Sequence, residues 1–378
     1  MPTLHLLDEA PLLQEVGTAI RGISNNKSAG PDGIPAEIYK HGGPHLTERL
    51  HSFLLTIWAT ETIPQDWKDA NIKTIYKNKG DKAICGNSRS ISLLVVAGKI
   101  LSKVMFSRLI QNLTENTLPV SQCGLRKDRS TIDMIFAARR LEAYTKTLTT
   151  QVIELQYVDD CAIMTHNRES MQRALDVISG IYSSLGLQIN TQKTEIFVQS
   201  IVPPKEAPQF YTNGDLIKIV NQFKYLGSTL TPTCSLDMEI QTRINLASAA
   251  FGRLRTRVFL NNDLKYGTKT AVYLAVCIST LLYASETWAP YKRHIQMLEN
   301  FHTRHLKRIF GISWEDRVTR EELYRRSNTT SIETTLAKRH LCWLGHVIRM
   351  PDHRLPRQIL HGKLSNGNRS AGGQKKEI

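Results

Sequence analysis

Tyr157-Val158-Asp159-Asp160 is the stretch on which the reading of this chain turns. Val152, Ile153, Leu155, Tyr157 and Val158 form a strand-like apolar run before it, and Cys161-Ala162-Ile163-Met164 forms a second run after it. The Asp pair therefore falls at the bend of a hairpin, where adjacent carboxylates project from a rigid edge and can face a divalent metal ion. Asp is also a favoured turn residue, so the tetrapeptide takes its weight from what stands around it.

Ordered stretches lie on both sides. Ser28-Ala29-Gly30-Pro31-Asp32-Gly33-Ile34-Pro35 comes first, then Trp67 to Lys77, then Cys85-Gly86-Asn87-Ser88-Arg89-Ser90-Ile91-Ser92-Leu93-Leu94. Ser121-Gln122-Cys123-Gly124-Leu125-Arg126, with Arg129-Ser130-Thr131, precedes the Asp pair. Gly186-Leu187-Gln188-Ile189-Asn190 with Lys193-Thr194-Glu195, and Phe223-Lys224-Tyr225-Leu226-Gly227-Ser228, follow it. In this order the series resembles the reverse transcriptase of non-LTR (LINE-type) retrotransposons, from near residue 10 to the C-terminus. "HLKRIFGISWEDRV" and "LGHVIRMPDHRLPRQIL" are similar to the family's region after the polymerase core.

The resemblance implies an α+β right-hand polymerase: fingers and a partial palm with the YVDD hairpin, then a basic, mainly helical thumb and C-terminal region. Its boundaries are 1–138 for fingers and upper palm, 139–235 for the partial palm, 236–364 for the thumb region and 365–378 for a disordered tail. It implies RNA-directed DNA polymerase (nucleotidyltransferase) chemistry on an RNA template and a DNA primer, with deoxynucleoside triphosphates and Mg2+ bound by Asp159 and Asp160. Arg89, with Lys77 as a lesser partner, would reach the incoming triphosphate, a role suited to a planar, always charged fork. Lys193 would stand beside the leaving pyrophosphate and donate a proton or offset charge. Gly124 and Arg126 would lie near the template, and Tyr225, Leu226 and Gly227 would belong to the hairpin that grips the primer end.

One departure bears on activity. In the family, the segment resembling "STIDMIFAARR" leads into a Phe-x-Asp strand carrying the first catalytic carboxylate and then into a Gln-Gly motif lining the nucleotide pocket. Here Ala138 passes straight to Arg139-Arg140-Leu141-Glu142-Ala143-Tyr144, which resembles what normally sits just upstream of the Asp pair. The join reads as an internal deletion. Phosphoryl transfer by two metal ions ~3.5–4 Å apart needs carboxylates converging from two places. Asp133 fits a helix and Asp215 a turn, while Asp237 and Asp263 lack strand-like surroundings, so none replaces the missing ligand. The sequence therefore predicts an impaired or inactive polymerase, with a residual RNA- or DNA-binding protein, or a relic without selected activity, as alternatives.

Charge is unevenly placed. Of the net +15, nearly all lies in residues 241–378, which hold 24 Lys and Arg against 10 Asp and Glu. Arg253, Arg255 and Arg257, and Arg304, Lys307 and Arg308, cluster at helical spacing, the footprint of a surface that follows phosphates. The longest apolar run, Ala271 to Ala284, is shorter than the ~20 residues of a membrane helix and reads as a buried one. Leu4, Leu6, Leu7, Asp8 and Glu9 give no basic start and no cleavage site, so the expectation is an intracellular protein, nuclear or cytoplasmic, neither secreted nor membrane-bound. Six dispersed cysteines without Cys-x-x-Cys read as reduced core residues, and the spacing of His302, His305, His340, Cys342 and His346 matches no zinc pattern. Further expectations are helices over 11–23, 39–59, 99–113, 130–143, 171–185 and 236–258, and strands over 70–76 and 187–198.

Overall fold

The computed structural model describes residues 8–110 except 79, 118–142 except 125 and 127, 145–146, 154–199, 208–361 and 363–364. It divides into two compact units, Met1–Leu118 and Pro119–Ile378.

In the first unit α1 (Leu13–Arg21), α2 (Ala36–His41), α3 (Gly43–Thr60), α4 (Gln65–Lys68), the β1 (Asn71–Tyr76) and β2 (Ser88–Leu93) ribbon, and α5 (Val96–Leu109) follow in order. Val16, Ile20, Leu54, Ile57, Ile100 and Val104 form its core. The single helix expected over 39–59 is two helices. Gly43 takes φ +74° and Pro44 has no N–H to give, so the ladder must restart. A forked pair from Arg108 to both carboxylate oxygens of Glu15, at 2.7 and 2.6 Å, ties α5 to α1.

In the second unit α6 (Thr131–Glu142) opens on a reciprocal cap. Ser130 N–H donates to the Asp133 carboxylate at 3.1 Å, and Asp133 N–H donates to Ser130 Oγ at 3.2 Å. The helix runs unbroken through 138 and 139, because Met134, Phe136, Ala137 and Ala138 all face one core. Then come β3 (Thr145–Lys146), β4 (Glu154–Tyr157), β5 (Asp160–Ile163), α7 (Arg168–Ser184) and β6 (Glu195–Phe197). The short strands β7 (Tyr211–Thr212), β8 (Asp215–Leu216), β9 (Lys218–Val220), β10 (Phe223–Tyr225) and β11 (Ser228–Leu230) follow. The rest is helical: α8 (Asp237–Leu254), α9 (Tyr266–Val272), α10 (Ser279–Leu281), α11 (Lys292–Phe310), α12 (Arg320–Ser327), α13 (Ile332–Ile348) and α14 (Leu355–His361), with β12 (Lys363–Leu364) at the end. Mixed helix and strand agrees with the α+β expectation. Among the described residues the strand pairs are antiparallel except β6 with β9, and β12 pairs back onto β3.

Two cores matter for the site. Phe136, Leu155, Tyr225 and Leu230 share one with Trp343, Val347, Met350, Leu355 and Ile359, so α13 and α14 cover the strand that carries the Asp pair. The Phe136 and Trp343 rings lie 4.5 Å apart. Ile240, Phe251, Phe259, Tyr273, Leu281, Leu298 and Leu306 form the helical core.

Several expectations are corrected. The strand expected over 187–198 shrinks to Glu195–Phe197, because Asn190 accepts the Lys193 and Thr194 amides and closes a turn instead. The boundary drawn at 138/139 falls inside α6. Among the cysteines only Cys123 and Cys277 are buried, the other four being exposed, and no disulfide joins any of the six. The tail expected to be disordered lies outside the described residues. Among the described residues, no helix is long and apolar enough to cross a membrane.

A buried ionic network joins these pieces. Glu239, 0% exposed, accepts from the Thr229 amide at 2.6 Å and from Arg243 Nε at 2.7 Å. Arg139 lies 3.9 Å from the same carboxylate and donates to Ser228 Oγ at 2.8 Å. Removing one partner leaves the others charged in a poorly solvated space. Glu239→Ala is expected to cost about 3–5 kcal/mol in urea unfolding. A loss under about 1 kcal/mol would mean the network is dispensable.

The helical core also holds His302, whose Nδ1 lies 3.1 Å from Tyr273 OH and whose ring is stacked between Tyr273 and Tyr324. Burial pushes its pKa down to about 4, and burial also lowers that of His305. Unfolded His binds its proton near pH 6.5 and the folded His302 does not, so the stability present above pH 6.5 is lost as pH falls toward 4. The expected slope is up to about 1.4 kcal/mol per pH unit from this ring. NMR of the His302 ring should show no titration above pH 5, and a midpoint near 6.5 contradicts the burial.

Candidate functional site

The hairpin is built from a strand held on both edges. Pairing runs Glu154 to Ile163, Leu155 to Ala162, Gln156 to Cys161 and Tyr157 to Asp160, which leaves Val158 and Asp159 as a two-residue loop. On the opposite edge the Gln156 amide donates to Ser121 O at 3.0 Å, and the Cys123 amide donates to Gln156 O at 2.9 Å. Segment 121–123 therefore extends the hairpin sideways. Val158 sits at φ +58°, where a β-branched residue is strained, an arrangement that persists only when the surroundings enforce it.

Gly124 is part of that enforcement. A Cβ built on it would come 2.2 Å from Val158 N and 2.9 Å from Val158 Cα, so only glycine lets the two backbones meet. Its own amide donates to Gln122 Oε1 at 2.8 Å, and Gln122 Nε2 reaches Gln156 Oε1 at 3.2 Å. The expected template residue thus lies against the turn that carries the Asp pair. Arg126 is 6% exposed and gives its guanidinium to Pro119 O and Gln122 O at 2.9 and 3.2 Å, bracing the same loop rather than facing solvent.

The second hairpin meets the first. Tyr225 is buried and donates from its hydroxyl to Leu155 O at 3.2 Å, with burial raising its pKa and keeping it a donor. Leu226 and Gly227 both take positive φ, +48° and +80°, the geometry of the tight two-residue turn that matches strand twist. Tyr283 OH donates to Leu226 O at 2.9 Å, and Arg243 donates to Gly227 O while lying 4.7 Å over the Tyr283 ring. Sequence reading missed Gln122, Gln156, Glu239, Arg243 and Tyr283. The only available signal was the i, i+4 spacing of Glu239 and Arg243.

Asp159 and Asp160 are both exposed, one in the loop and one opening β5. Among the described residues no three His, Cys, Asp or Glu side chains come together to hold a metal ion. Asp133 is committed to the cap of α6, buried, with Arg354 3.8 Å away and burial raising its pKa. The carboxylate side chains outside those described are Glu115, Glu142, Glu206 and Glu377, with no aspartate among them. Two neighbouring carboxylates on one bend can touch an ion from one side. They do not fit a two-ion cage, which needs donors from a second direction.

Lys193 is exposed in the Asn190 turn, its amide bonded to that residue at 3.1 Å. Arg89 and Lys77 lie in the first unit. Arg89 is exposed opposite Ile75, and Lys77 Nζ donates to Gly86 O at 2.8 Å. Arg253 on α8, and Arg255 and Arg257 on the π-helical turn after it, are exposed, as are Arg304 and Arg308 on α11, with Lys307 half-buried.

Residues 135–230 match the family described as reverse transcriptase (RNA-dependent DNA polymerase). That span holds both hairpins. A transposon-derived protein of Caenorhabditis elegans is 25% identical over 226 residues, covering 58% of this chain and 79% of its own length. The RNA-directed DNA polymerase from mobile element jockey of Drosophila melanogaster is 24% identical over 170 residues, 43% of this chain but 18% of that protein. A 115 kDa protein of the type-1 retrotransposable element R1DM in the same fly is 30% identical over 135 residues, 35% of this chain and 13% of its own. With the hairpin geometry, these matches define a reverse-transcriptase-like protein. More narrowly, the proteins it is similar to are transposon-derived, the jockey and R1 mobile elements among them.

Gly124→Ala tests the seat of the Asp pair. The expected outcome is a loss of about 1–3 kcal/mol from overpacking, with amide shifts concentrated at 157–161. Unchanged stability and an undisturbed Val158 amide would contradict the close approach.

Proposed function

We propose that this chain is a nucleic-acid-binding remnant of a reverse transcriptase, with fingers, a partial palm and a basic helical thumb region, that does not extend primers by itself. The observation that carries the reading is the donor set at 159 and 160: two exposed carboxylates on one bend, with no third acidic group beside them among the described residues. In the ancestral reaction these would bind Mg2+, Arg89 the triphosphate and Lys193 the leaving group.

Binding rests on other residues. Arg253, Arg255, Arg257, Arg304 and Arg308 are exposed and make no ion pair with a described residue, so they are free to meet phosphates. RNA template and DNA primer are the partners this reading proposes. Each phosphate neutralised releases counterions, and affinity should fall linearly on a log-log plot against salt.

Two assays of the purified full chain test the reading. Primer extension on an RNA template should give no product above that of Asp159→Ala, and clear incorporation abolished by that substitution overturns inactivity. Binding to an RNA–DNA duplex should weaken roughly 10- to 1,000-fold between 50 and 200 mM salt, as for about two to six phosphate contacts. Salt-independent binding, or none, overturns the second half.

A further inference from the structure

The motif "GISWEDRV" carries a residue that neither hairpin nor core uses. Trp314 is 85% exposed, the highest value among the described large apolar side chains. The other tryptophans are packed: Trp288 and Trp343 are buried, and Trp58 and Trp67 half-buried. An exposed indole presents a flat aromatic face on which a planar group can stack.

Its loop is built to hold that position without help from the ring. Gly311 ends α11 at φ +65°, and the Ile312 amide returns to Lys307 O at 2.9 Å. Ile312 and Val318 pack on the helical core and pin both ends of the loop. Between them the Ser313 amide donates to the Asp316 carboxylate at 2.6 Å, and the Glu315 amide donates to Ser313 Oγ at 3.2 Å. The ring stands on a fixed turn.

Cations frame it. Arg304 and Arg308 are exposed one turn apart on the helix leading into the loop, a rise of ~6 Å. Arg317 closes the loop and Arg320 opens α12, both exposed. None of the four makes an ion pair with a described residue, whereas Arg325 and Arg326 are both tied to Glu322. The acidic neighbours are Glu315, Asp316, Glu321 and Glu322; the Ser313 amide already engages Asp316, and Arg325 and Arg326 engage Glu322.

An exposed aromatic ring in a stretch with arginines on both sides, none of the four ion-paired with a described residue, suits one occupant best. A protein partner would ask for an apolar rim around the ring, and a closed duplex offers no free base face. We propose that Trp314 stacks an unpaired base of single-stranded nucleic acid whose phosphates follow Arg304, Arg308, Arg317 and Arg320. The inference deepens the binding reading above and rests on it. It assigns the strand form read at this end of the basic region.

The test compares a fluorescein-labelled oligothymidylate with a blunt duplex of equal length, on the full chain at fixed salt. Trp314→Ala is expected to weaken oligothymidylate binding about tenfold, with duplex affinity within about twofold and the salt slope unchanged. Trp314→Phe should keep most of the affinity. Arg304→Gln with Arg308→Gln should weaken both ligands and flatten the slope by roughly one to two. An unaltered single-strand affinity in Trp314→Ala sinks the stacking site while leaving the binding reading intact. Equal losses on strand and duplex sink it too, and point to a protein or shape contact. If the unsubstituted chain binds neither ligand, both readings fail.

Discussion

Strand β4 is the constraint on which the second unit depends. Its residue Gln156 is bonded through its main chain to Ser121 and Cys123 on one side, and the strand pairs with β5 on the other. Leu155 points into the core shared with Phe136, Tyr225 and the C-terminal helices, and its carbonyl takes the Tyr225 hydroxyl. A four-residue strand with one free edge and no cover would have little to hold it. Here both hairpins, the 121–124 loop and the residues from Trp343 onward converge on it. The positive φ of Val158 is tolerated because these neighbours over-determine the bend.

This explains how an ordered hairpin is held although α6 runs straight through 138 and 139. Arg139 turns into the buried network with Glu239 and Ser228, and α6 packs Phe136 against Trp343. The cover over β4 comes from α13 and α14, segments far along the chain. What packing supplies, however, is shape. A carboxylate donor from a second direction is a chemical requirement, and no arrangement of leucines and tryptophans supplies it.

Much of this was legible in sequence because local physics dominated locally. The apolar runs on both sides of Asp159 and Asp160 predicted the hairpin, and the Gly227 turn its companion. Elsewhere long-range contacts decided. Gly124 and Arg126 look like surface residues of a polar loop, and only the fold shows that one meets Val158 and the other props up carbonyls. The break at Gly43 and Pro44 was readable from proline chemistry and was overridden by an apolar pattern that ran across it. Residues 187–194 alternate like a strand, but Asn190 offers its oxygens to nearby amides, and that local bonding wins. Net charge showed where cations lie, not that Trp314 stands among them.

The central claim is that the Asp pair is a structural survivor without a second-direction ligand. Electron paramagnetic resonance of the full chain titrated with Mn2+ in the presence of a template-primer duplex tests it most directly. The account predicts no spin-coupled pair of ions that depends on Asp159. A coupled pair at the ~3.5–4 Å separation of a two-metal centre, abolished by Asp159→Ala, would contradict it.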